Sequence, residues 1–62
     1  MMNKYNLRVL AGHRDYVVTV YAVHLRTNTN YYYFVDENGK WIASYPISKT
    51  IIESIEEIEE DE

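Results

Sequence analysis

Histidine is the side chain most ready to exchange a proton near neutral pH, and the chain has two, His13 and His24. His13 stands in the run His13-Arg14-Asp15, directly after Gly12. A histidine beside an aspartate suggests a general base with its orienting carboxylate. Catalysis also needs a nucleophile or substrate within hydrogen-bond reach, and a pocket to hold it. A glycine-led turn supplies neither. A metal site would have to combine His13 or His24 with Asp15, Asp36 or Glu37, and no usual ligand spacing joins them. Cysteine is absent, which excludes disulfides and thiolate centres. The expectation is a non-enzymatic protein with no cofactor and no metal.

Aromatic and charged residues carry the stronger signals. Seven tyrosines fall within 62 residues, three of them consecutive at Tyr31, Tyr32 and Tyr33. Rings on a sheet can stack on bases while cations follow phosphates. Lys4, Arg8, Arg14, Arg26 and Lys40 are available for that role, so single-stranded nucleic-acid binding is a working alternative. The charge balance opposes it. Residues 1–45 carry a net +2, whereas residues 46–62 carry −6, and phosphate neutralisation dominates nucleic-acid affinity. The acids Glu53, Glu56, Glu57 and Glu60 form a second candidate surface, one that a basic partner would recognise.

The elements that must position these groups follow from periodicity. "KYNLRVLA" alternates apolar and polar residues, as a half-buried strand does; it spans residues 4–11. "YVVTVYAVHL" (16–25) is β-branched and aromatic, and predicts one long second strand. "YYYFV" (31–35) and "WIASY" (41–45) predict two more. Asn38-Gly39 between them predicts a two-residue hairpin turn of type I′. In the tail, Ile47, Ile51, Ile55 and Ile58 lie on one helical stripe. Thr50-x-x-Glu53 fits a capping box. A helix is therefore expected over 48–59, with residues 59–62 frayed. The predicted fold is α+β: a single domain, residues 1–62, with a four-stranded antiparallel meander, flat or strongly curled, and one C-terminal helix on one face.

Register assigns the faces. A loop at 12–15 sets Val18 opposite Val9 and Val20 opposite Leu7. The face under the helix then holds Tyr5, Leu7, Val9, Val18, Val20 and Ala22, continued by Tyr32, Phe34, Trp41, Ala43 and Tyr45. The reverse face holds Val17, Thr19, Tyr21, Val23, Leu25, Tyr31, Tyr33, Val35 and Ile42, and is apolar too. One short helix covers one face. The reverse face therefore implies a second contact, and Tyr21, Val23, Tyr31, Tyr33, Val35 and Ile42 are its candidate anchors. The expected function is protein–protein interaction, with a homodimer through the aromatic sheet face or docking on another protein. The alternative that needs no partner is a long second strand that bends, so that the sheet curls over both its faces.

No apolar run is long enough for a secretory signal or a membrane span, so a cytoplasmic protein without membrane contact is expected. In size, cysteine-free acidic composition and expected plan, the chain resembles small single-domain proteins encoded by phages and other mobile elements. That resemblance implies a regulator or inhibitor of a host protein and transfers no residue roles.

Overall fold

The computed structural model describes residues 1–59 and is all-β. Six strands run β1 (Met2–Ala11), β2 (Arg14–Ala22), β3 (His24–Thr27), β4 (Tyr31–Val35), β5 (Trp41–Pro46) and β6 (Thr50–Ile58). They form two three-stranded antiparallel sheets, β2-β1-β6 (sheet A) and β3-β4-β5 (sheet B). A short 3-10 turn, Ile47–Lys49, links β5 to β6.

The expected helix over 48–59 is thus replaced by a strand, and the α+β class by an all-β one. β6 pairs with β1, Leu7 facing Ile52 and Tyr5 facing Ile55, and a bulge at Glu53 separates those pairs. A bulge inserts one extra residue into a strand of period two. It sets Ile52 and Ile55, three apart, against the inward residues Leu7 and Tyr5, Ile52 packing on the core and Ile55 staying exposed at the sheet edge. Four isoleucines favour the pleated conformation, and the like-charge pair Glu53/Glu57 disfavours the helical one. The expected fray at residue 59 gains no element; residues 60–62 lie outside the described ones.

The expected second strand is two. It breaks at Val23, and the chain crosses from sheet A into sheet B. Bends of this kind are how strands switch sheets at the corner of a two-layer β fold. The side chain of Asn3 donates to the Val23 carbonyl at 3.2 Å, and the Val23 N–H donates to Val35 at 3.0 Å, so the corner's backbone is satisfied. The kink also resets parity. Ala22 and Leu25, three apart, both reach the core, although Leu25 was expected on the reverse face.

The core lies between the sheets. Tyr5, Leu7, Val20, Ala22 and Phe34 are buried, with Val18, Leu25, Tyr32, Ala43, Tyr45 and Ile52 packed around them. Tyr5 and Phe34 meet across the layers with ring centroids 5.0 Å apart. Of the predicted inward set of β1 and β2, Tyr5, Leu7, Val18, Val20 and Ala22 reach the core and Val9 stays half-buried outside it, and the register differs. Leu7 faces Val18 and Val9 faces Tyr16, because the loop is the two residues Gly12-His13 and not 12–15. Gly12 has φ +64°, which suits the first central position of a type II′ turn. The slip is two residues, so each side chain keeps its face.

Candidate interaction surface

The outer face of sheet B is built from two turns. In the β4–β5 hairpin the Gly39 N–H donates to the Asp36 carbonyl at 3.0 Å and the Asp36 N–H to Lys40 at 2.9 Å. One Asp36 carboxylate oxygen accepts from the N–H groups of Asn38 and Lys40. Gly39 is at φ +80° and Asn38 is not positive. The loop is therefore three residues, Glu37 to Gly39, a type I turn closed by a left-handed glycine, and not the expected type I′ turn. Its odd length shifts the register so that Val35 faces Trp41, while Phe34 still faces Ala43 and Tyr32 still faces Tyr45. Ile42 is the extra residue that absorbs the shift.

Trp41, expected in the core, is in consequence 62% exposed. Its ring stacks on Tyr33, centroids 4.7 Å apart at 27°. Arg26 and Ser44 flank Tyr33 in register, and cross-strand neighbours share one face. Tyr31 and Ile42 are also exposed. At the opposite end, the Asn28 side chain accepts from the N–H groups of Asn30 and Tyr31, each at 2.8 Å. That local bonding holds the β3–β4 turn and with it Tyr31.

The outer face of sheet A differs. Asn6 sits between Thr19 and Ser54 in register. Its amide donates to Ser54 at 2.8 Å and to Glu56 at 2.9 Å, and its carbonyl oxygen accepts from Thr19 at 3.2 Å. Arg8 pairs with Glu53 at 3.0 Å, and Lys4 faces Glu56. The expectation of an apolar reverse face throughout is therefore corrected: one outer face has a polar ladder along its centre, flanked by the exposed Val17, Tyr21 and Ile51, and the other carries rings.

The six expected anchors separate accordingly. Tyr33 stacks on Trp41, with Ile42 next to Trp41 in the chain and Tyr31 at the far end of β4; sequence reasoning missed Trp41 because it assumed an even loop. Val35 is buried. Val23 is half-buried at the corner, beside a shallow cleft that it lines with Met1, Met2, Asp36 and Glu37. Tyr21 is exposed, but on sheet A, facing Lys4. Among the candidate cations, Arg26 faces Tyr33, Lys40 precedes Trp41 where the hairpin loop ends, Arg8 belongs to the ladder, and Arg14 opens β2 beside the Gly12-His13 turn. Glu53, Glu56 and Glu57 do not form one helical row. They fall at the bulge, opposite Lys4 and opposite Asn3, and Glu60 lies outside the described residues. His13 and His24 are exposed, on the first turn and on β3.

Comparison with protein-family models, with curated proteins and with solved structures gives no match.

Proposed function

We propose that this is a non-enzymatic protein-interaction module whose working surface is the outer face of sheet B. One observation carries the reading: the exposed Trp41 stacks on the half-buried Tyr33, with Tyr31 and Ile42 also exposed on the same sheet. Exposed aromatic clusters are the commonest anchors of protein contacts, and two-torsion rings lose little entropy when they bind. The partner is a protein with an apolar patch.

A second reading, single-stranded nucleic-acid binding, draws on Arg26 beside Tyr33 and Lys40 beside Trp41. Stacking with adjacent cations is the chemistry of that contact. The two readings separate by salt. Trp41 is the chain's one tryptophan, so its fluorescence reports occupancy directly. A protein captured by the wild type from nuclease-treated extract should be lost with Trp41→Ala, its purified form binding at least about 30-fold more weakly, the scale of a hot-spot residue. Loss of capture with Arg26→Ala alone, together with quenching by single-stranded oligonucleotides that falls steeply with salt, would transfer the assignment to nucleic acid. Capture indifferent to Trp41→Ala would overturn it.

A further inference from the structure

Four strand edges bound the two sheets, and three of them are guarded. β6 has a bulge and carries Glu53, Glu56 and Glu57. β5 has the Ile42 bulge and ends in Pro46. β3 is four residues long and includes Arg26. Bulges, proline, charge and shortness are the devices that keep an edge from pairing. β2 has no bulge and no proline, and its only charges are its first two residues, Arg14 and Asp15. It is nine residues long, its pairing with β1 is unbroken, and Tyr16 to Ala22 holds no charge.

Which of its backbone groups are free follows from the hairpin. A two-residue loop is closed by a pair that exchanges both backbone bonds, here Ala11 and Arg14, and such pairs recur at every second position. Tyr16, Val18 and Val20 therefore bond to β1. The N–H and C=O groups of Asp15, Val17, Thr19 and Tyr21 point away from the sheet.

We infer that β2 pairs antiparallel with β2 of a second copy, about a two-fold axis at Thr19. Self-complementarity identifies the occupant. The uncharged run from Tyr16 to Ala22 is centred on Thr19, so on this axis it opposes only itself. Val17 meets the partner copy's Tyr21, Tyr21 meets its Val17, and Thr19 meets Thr19. Aromatic–β-branched and Thr–Thr are favourable cross-strand pairs. They cover Val17 and Tyr21, which are 75% and 51% exposed in the single chain. An axis at Val18 would instead set Asp15 against Tyr21. Sheet A becomes one six-stranded sheet, and the ring-bearing face of sheet B stays open in each copy. This goes beyond the proposed function and does not depend on it.

Sedimentation across concentration tests it. The wild type should pass from one-chain to two-chain mass. Thr19→Lys and Thr19→Glu each place like charges opposite one another on the axis, and each should need at least about tenfold higher concentration to associate. An equimolar mixture of the two should restore association as a mixed dimer. Thr19 is exposed, and circular dichroism of each variant should match the wild type. Trp41→Ala should leave the dimer intact. A wild type of one-chain mass throughout, a Thr19→Lys that associates as the wild type does, or a mixture that restores nothing would overturn the inference. So would self-association abolished by Trp41→Ala, which would place the contact on sheet B.

Discussion

The two outer faces come from one chain and meet the same solvent, yet they are built in opposite ways. On sheet A the central strand presents Lys4, Asn6 and Arg8, and each finds a polar neighbour across the sheet. On sheet B the central strand presents Tyr31 and Tyr33, and the neighbour that Tyr33 finds is another ring. Antiparallel sheets with one solvated face normally alternate apolar and polar residues. Sheet A follows that rule along its central strand, with Val17, Tyr21 and Ile51 exposed on its flanking strands, whereas sheet B breaks it on the central strand itself. The inner faces already supply the buried residues that join the layers, so the outer rings of sheet B are surplus to the fold. Surplus exposed rings are what a contact surface needs.

The comparison breaks most visibly if the inner and outer rings of β4–β5 prove equivalent in stability. Phe34 is fully buried between Tyr5 and Tyr45. Phe34→Ala should cost about 3–5 kcal/mol, set against roughly 3–9 kcal/mol in total for a chain this long. In urea titrations the variant should lose a third or more of the wild type's unfolding free energy. Trp41→Ala, on the other side of the same hairpin, should keep its unfolding free energy within about 1.5 kcal/mol of the wild type, the value of an aromatic pair. A Trp41→Ala as damaging as Phe34→Ala would make the outer rings structural and remove the case for a surface.

A smaller effect sharpens the same contrast at its origin, the turn that throws Trp41 outward. Gly39 has open space around it but φ +80°. Gly39→Ala therefore meets no clash and pays backbone strain alone, about 1–2 kcal/mol. The unfolding free energy from urea titration should fall by that amount while Tyr33–Trp41 stacking, read by near-ultraviolet circular dichroism, persists. Loss of the stacking signal at unchanged stability would mean that the three-residue loop is not what holds the ring outside.

That turn also marks where the sequence stops being legible. Asn38-Gly39 signals a hairpin correctly, and the pairing of Phe34 with Ala43 follows from it. Whether the loop has two residues or three depends on Asp36, whose carboxylate bonds two N–H groups beyond it, a competition that the dipeptide does not reveal. One residue decided the side on which Trp41 lies. The tail fails for a kindred reason. Ile47, Ile51, Ile55 and Ile58 imitate a helical stripe, but Ile47 lies in the 3-10 turn, and on β6 Ile51 faces Arg8 outside while, past the bulge at Glu53, Ile55 faces Tyr5 inside. The inward set Tyr5, Leu7, Val18, Val20 and Ala22 was legible because the first loop, two residues where four were expected, erred by an even number. Parity survived there and failed at the two bulges and the Val23 corner, where long-range pairing outweighs local pattern.

The smallest expected effect lies on sheet A. Arg8 and Glu53 are 3.0 Å apart with side chains 44% and 38% exposed. Such a pair gains little Coulomb energy in water and loses side-chain freedom, so Arg8→Ala should lower stability by less than about 1 kcal/mol. Whatever part is electrostatic should vanish by roughly 1 M salt, where the screening length is about 3 Å. Asn6→Ala removes three side-chain hydrogen bonds, but all are exposed and water replaces them. The loss should be nearer the value of one net bond, about 1 kcal/mol, than of three. Both variants should bind the sheet B partner as the wild type does. If either weakened that binding, the two faces would be coupled through the core, and the ladder would be part of the site and not its contrast.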